Sequence, residues 1–164
     1  MSDEQPPTKD RRQFRIEDDG VTHINVYSRG ATRLGCCLSN FSSIGFTHPK
    51  YGPFASMEGF WYYVKTGFKH EGLRRLSGLA AKTVGRKLEV IRMDPEEFQE
   101  IIRQGLTCKV EQHPDLLDML LTSVLPLAHY YVMQRGDKPI QVIVPEHQWQ
   151  LDHLQSLRTK WSSR

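Results

Sequence analysis

In the segment "SMEGFWYYVK", residues 56 to 65, Glu58, Trp61, Tyr62 and Lys65 fall at i, i+3, i+4 and i+7. On a 3.6-residue helix that spacing is one stripe. A second stripe, Met57, Phe60 and Val64, is wholly apolar and can pack on a core. The predicted helix therefore has two occupied faces, and the one that mixes a carboxylate, an ammonium and rings suits a pocket. At the second helical position, the helix dipole and free backbone N–H groups favour ionised Glu58 by roughly 0.3–1 kcal/mol. Lys65, two turns on, adds Coulombic support where the side chains converge. Both effects predict a lowered pKa, which suits charge stabilisation, water activation or binding of a ribose diol better than proton donation. A blander account makes Glu58 a helix-start acid, Lys65 a solvated lysine, and Trp61 and Tyr62 core residues. Their meeting on one stripe favours the pocket.

Two further segments carry candidate binding groups. In "LSNF", Ser39, Asn40 and Phe41 offer a hydroxyl, an amide able to bond a purine edge or a ribose, and a ring able to stack. An Asx-type loop cap and simple packing are the alternatives. In "AAKTVGR", Lys82 and Arg86 lie four apart on one face, and Gly85 permits close backbone approach. Arg grips phosphate through paired contacts and Lys acts as a point charge. The Walker pattern is absent. Lys65, Lys69, Arg74, Arg75, Lys82, Arg86 and Lys87 also form a basic run against the single acid Glu71. That run is either a solvated face or a surface that attracts phosphate on a nucleotide or nucleic acid.

The elements that must position these groups follow from pattern. "THINVYS", residues 22 to 28, alternates and is β-branched, so it predicts a strand. Residues 29 to 54 are studded with Gly, Ser and Pro and predict a long ordered loop, with short hairpin strands near Gly45–Thr47 and Pro53–Phe54. Ser56 is placed to cap the Glu58 helix. Helical pieces are expected over 71–79 and 80–88, then a helix with Asp94 as cap, Pro95 at its first position and Glu97 set for a capping box. A short helix from Pro114, strands at 127–133 and 140–144, and a final helix near 146–158 complete the chain. The expected fold class is α+β, a mostly helical single domain packed around a small β-sheet.

Composition sets limits. The 164 residues carry a net charge of only +3, and 38% are apolar, enough for one core. No apolar run approaches the length of a membrane span, so no membrane partner is expected. Residues 1–20 are dense in charge with a Pro pair, predicting a flexible arm ahead of a domain over 21–164. The N-terminus lacks a secretory h-region. Three cysteines, two of them adjacent, predict free thiols in a reducing cytoplasm rather than a disulfide framework. Seven histidines show no His-x-x-x-His pair, and no Cys-x-x-Cys occurs, so no metal is expected.

Taken together and in this order, the motifs resemble the YbiA-like or NADAR family, named for a suspected link to NAD and ADP-ribose. The resemblance runs from about residue 24 to residue 158. It is carried by "INVYS", Ser39-Asn40-Phe41, Met57-Glu58-Gly59 with Lys65, and Ala81, Lys82, Gly85 and Arg86. The stretch "IRMDPEEFQEIIRQGLTCKVEQHPDLLDMLLTS" completes it. Family members hydrolyse N-glycosidic bonds, either in phosphorylated riboflavin precursors or between ADP-ribose and guanine bases of modified DNA. The resemblance implies that Glu58 is the central catalytic carboxylate, and that Lys65, Lys82 and Arg86 line a site for a phosphorylated ribose. Departures are specific. Gly59 stands where the family has His, and Tyr62 where it has Gln. No C-terminal Glu is recognisable: His129 falls near its place, and "PEHQW" offers Glu146 and Trp149.

Breaking a ribosyl C–N bond develops oxocarbenium character at C1′ while the base leaves with negative charge. A fixed carboxylate stabilises the first, and a lysine beside the base, or stacking on Trp61, favours departure of the second. Lys65 attacking C1′ to form an imine is the other route. Neither route requires a metal or other cofactor. The expected activity is that of a cytoplasmic N-glycosidase acting on ADP-ribosylated guanine in DNA or in a nucleotide. The alternatives are cleavage of a riboflavin-pathway intermediate and non-catalytic binding of ADP-ribose or NAD.

Overall fold

The computed structural model describes residues 14–163, and two of its helices, α2 and α4, begin at the caps the sequence places. Ser56 Oγ accepts the Gly59 amide at 3.0 Å to open α2 (Met57–Lys65). Asp94 accepts the Glu97 amide at 3.2 Å to open α4 (Pro95–Gln112), with Pro95 at its first turn. The remaining helices are α1 (Arg33–Leu38), α3 (Gly78–Gly85), α5 (Pro114–Thr122) and α6 (Gln148–Ser162). The strands are β1 (Ile24–Asn25), β2 (Phe46–His48), β3 (Gly52–Phe54), β4 (Leu127–Ala128), β5 (Tyr130–Arg135) and β6 (Lys138–Ile143). The fold is α+β and mostly helical, with its strands divided among three two-stranded ribbons: β1 with β4 in parallel, β2 with β3 and β5 with β6 antiparallel.

The core forms where helical stripes converge. Met57, Phe60 and Val64 of α2 are buried against Ile102, Leu106 and Val110 of α4, with Leu151, Leu154 and Leu157 of α6 in the same cluster. Phe60 meets Phe46 and Phe54 of the β2–β3 hairpin edge-on, at 5.4 and 4.8 Å between centroids. Full burial of a side chain of this size contributes roughly 1.5–3 kcal/mol. The apolar stripe of α2 is therefore held by three elements at once. Its mixed stripe lies on an adjacent face, where Trp61 and Tyr62 also touch the core and Glu58 and Lys65 are left free to carry chemistry.

Several expectations need correction. The long loop contains α1, whose start is fixed by Thr32 Oγ1 accepting the Gly35 amide at 2.9 Å. Flanking Gly and Ser hid that cap. The strand expected over 22–28 has two paired residues, because its partner β4 leaves after Ala128. The strand expected over 127–133 breaks at His129, where the chain changes partner from β1 to β6. The piece expected over 71–79 is a 3-10 turn, Glu71–Arg75, and α3 begins earlier than expected. Arg74 leaves the basic run to hold that turn. Its guanidinium donates to the Tyr51 and Pro53 carbonyls and lies over the Phe54 and Tyr63 rings.

The first thirteen residues of the expected arm lie outside the described residues. Within 14–20 there is a 3-10 turn, Ile16–Asp18, and the Asp19 carboxylate accepts the Asn25 and Ala31 amides at 2.9 and 2.8 Å. The three cysteines are free. Among the described residues, no helix is long and apolar enough to cross a membrane.

Candidate active site

The free stripe of α2 faces a cavity of about 800 Å³. Glu58, Trp61, Tyr62 and Lys65 all line it, so the four residues spaced along the sequence meet one space. Ser39, Asn40 and Phe41 form a second wall and Lys82 of α3 a third. Arg86 is not on the cavity surface. It caps α3, near enough to Tyr62 for its charge to act on that hydroxyl. The structure thus brings together every expected site residue except Arg86.

Glu58 overturns the expected direction of its pKa. Burial pushes the carboxyl up to about 7, while Lys82 and then Lys65 pull it down without prevailing. The helix dipole and the lysines favour the carboxylate, but the loss of water around a side chain is set by packing, and desolvation wins. At neutral pH the group is divided between its acid and its carboxylate. That equips it to give a proton as well as to stabilise a cation. Its charge reaches the Tyr62 and Tyr131 hydroxyls, both raised first by burial and then by Glu58.

The Ser39–Phe41 loop is tied to Glu58 through the backbone. The Glu58 amide donates to the Asn40 carbonyl at 2.9 Å. The Asn40 side-chain amide donates to Gln150 of α6 at 3.0 Å, and the Phe41 amide to Ser39 Oγ at 3.2 Å. Beneath them lies Lys109, which sequence reasoning did not single out. Its ammonium donates to the Ser39 carbonyl at 3.0 Å and to Ser42 Oγ at 2.9 Å. Complete burial lowers its pKa to about 7. The signal was present: Lys109 occupies the stripe of Ile102, Leu106 and Val110, a lysine at a core position of α4.

Trp61 packs edge-on against Phe98 at 4.8 Å and His147 at 5.6 Å, and lies parallel to Trp149 at 6.2 Å. It joins α2 to α4 and to the start of α6. The rest of the lining comes from distant sequence: Tyr27 and Arg29 after β1, His129 between β4 and β5, Tyr131 of β5, and His147. Glu58 is the one carboxyl on the cavity surface among the described residues, and Glu146 is not on it. Histidines and a tyrosine occupy the wall where a second acid was sought.

Gly59 and Gly85 have steric reasons for their identities. A Cβ on Gly59 would stand 2.4 Å from the Leu73 carbonyl oxygen, so no larger residue fits behind Glu58. Tyr62 lies flat on the α3 backbone, where a Cβ on Gly85 would meet its ring at 2.2 Å. The close approach that Gly85 permits is therefore to a tyrosine of the cavity wall.

This arrangement, a two-faced helix between small ribbons and a helical layer, is the YbiA-like fold. The NMR structure of the E. coli protein YbiA matches it with a TM-score of 0.62, over 92% of this chain and 94% of that one, at 20% identity. That likeness is one of fold. No protein-family model and no curated protein matches the sequence.

Proposed function

We propose that the protein is an N-glycosidase of the NADAR type that hydrolyses a ribosyl C–N bond, releasing ADP-ribose from ADP-ribosylated guanine in DNA or a nucleotide. One observation carries the reading: a single carboxyl, poised at about 7, faces a large cavity between two lysines. As the bond breaks, its electron pair goes to the base nitrogen, which takes the proton of Glu58. The carboxylate left behind faces the developing oxocarbenium and stabilises it. Water then adds at C1′ and loses a proton. The sum is one C–N bond exchanged for a C–O bond, at the cost of one water.

Lys65, Lys82 and Arg29 give the cavity three cations against one carboxyl, a balance that suits a diphosphate. The motif resemblance and the YbiA-like fold support the same class of reaction. The cavity stands in the upper part of the roughly 300–1,000 Å³ usual for ligand sites, which favours a dinucleotide-sized ligand over a flavin precursor. Incubation with guanine-ADP-ribosylated DNA, with free ADP-ribose measured as product, tests the proposal. Cleavage of a phosphorylated ribosylaminopyrimidine instead would move the substrate to riboflavin chemistry. Binding of ADP-ribose without any hydrolysis would make the protein a recognition module.

A further inference from the structure

We infer that His129 is the general base of this site: its Nε2 accepts a proton from the water that attacks C1′, in the same cavity as the proton donor Glu58. The inference rests on the N-glycosidase reading and supplies the proton acceptor which that reading lacks.

The tautomer follows from one contact. His129 Nδ1 lies 2.6 Å from the Val26 carbonyl oxygen. A carbonyl can only accept, so Nδ1 carries the hydrogen and, in the neutral ring, Nε2 keeps its lone pair. Nε2 has no hydrogen-bond partner among the described residues, yet it is not one of the sealed, unpartnered atoms of the structure. His129 lines the cavity, so that lone pair is open to it.

The ring is also held in place. It sits at the single residue where the chain passes from one ribbon to another, and both sides of the break are clamped. Before it, Val26 N donates to the Ala128 carbonyl at 2.8 Å. After it, the buried Asn25 amide brackets Tyr130, accepting its N–H and donating to its C=O, each at 3.0 Å. Tyr131 stands edge-on to the imidazole at 5.1 Å. Burial and the nearby His147 push its pKa down against the opposing effect of the Val26 bond, which keeps the ring neutral. The other charged or titratable groups facing the cavity are Glu58, Lys65, Lys82, Arg29 and the tyrosines.

The step balances. After Glu58 has protonated the departing nitrogen, water oxygen bonds to C1′ and its proton passes to Nε2. The imidazolium releases that proton to solvent through the cavity mouth, and Glu58 takes one back from solvent. No oxidant, reductant or further reactant is involved.

The test compares His129→Asn, His129→Ala and Glu58→Gln in hydrolysis of ADP-ribosylated guanine. Asn can place an amide N–H where Nδ1–H was, keeping the Val26 bond while removing the base. The expected result is a loss of about a hundredfold or more in kcat, with KM within about twofold. The acid limb of the pH profile should disappear, and added imidazole should restore part of the activity of His129→Ala. A merely structural histidine would show neither. Nitrogen NMR of the intact protein, read without turnover, should place the proton of neutral His129 on Nδ1. Full activity in His129→Asn alongside a dead Glu58→Gln overturns this inference alone, as does a proton found on Nε2. Absence of hydrolysis by the parent protein overturns the N-glycosidase reading and this inference with it.

Discussion

The ammonium nitrogen of Lys109 lies 3.0 Å from the carbonyl oxygen of Ser39, inside the protein, and the next carbonyl along, that of Asn40, accepts the amide of Glu58. A lysine of α4 thereby sets the position of the loop against which the candidate catalytic helix starts. Cutting the tie should loosen that start. Lys109→Met is expected to speed hydrogen exchange at the Glu58 amide and to leave the Ser39 carbonyl short of a donor, at a cost of about 1–3 kcal/mol. Unchanged exchange at Glu58 would show that the loop holds itself.

Lys109 also predicts a pH dependence of folding. Its pKa is depressed from 10.5 to about 7, so between these values the unfolded chain binds the proton and the folded one does not. Stability from this group is fully present above the unfolded value and is lost as pH falls through the folded one. Denaturant unfolding of the parent should show a rise between about pH 7 and pH 10 that Lys109→Met lacks.

Glu58 predicts the opposite slope. Its pKa is raised from 4.5 to about 7, so its stability is fully present below the unfolded value and is lost as pH rises through the folded one. Glu58→Gln, which imitates the neutral acid, should match the parent near pH 4.5. Above about pH 7 it should exceed the parent by up to roughly 3 kcal/mol, at about 1.4 kcal/mol per pKa unit. Equal stability of the two proteins at about pH 8 would mean that the carboxylate is not held out of water.

Lys82 and Arg86 separate the cavity from its surroundings. Lys82 lines it and is the larger of the two lysine influences on Glu58, whereas Arg86 stands outside. Lys82→Ala is expected to weaken ADP-ribose binding by roughly 1.5–3 kcal/mol, and Arg86→Ala by less than about 1 kcal/mol at physiological salt. Calorimetric titration decides. A larger loss from Arg86→Ala would bring that guanidinium into the ligand's reach.

Periodicity and caps made most of the helices legible: the two stripes of α2, Ser56 before it and Asp94 before α4 all stand as expected. The hairpin of β2 and β3 was marked by its Gly and Pro. What sequence hid was long-range. Tyr131, His147 and Gln150 reach the cavity from about seventy to ninety residues beyond Glu58, nothing local announces that return, and only the family resemblance points to His129. The direction of the Glu58 pKa is not legible in the sequence for the same reason, because desolvation belongs to the assembled fold. Gly59 was visible only as a departure from a family pattern. Its cause is a carbonyl from the turn before α3, which only the folded chain brings against it.

The most direct test of the account is single-turnover release of ADP-ribose from guanine-ADP-ribosylated DNA by the parent protein and by Glu58→Gln, at saturating protein and neutral pH. Gln keeps the shape and neutrality of the acid but can neither give the proton nor become the carboxylate that faces C1′. The account predicts hydrolysis by the parent, a rate lower by at least about a hundredfold in the variant, and ADP-ribose affinity within about tenfold of the parent's. Equal rates in the two proteins would remove Glu58 from the chemistry and contradict the account at its centre.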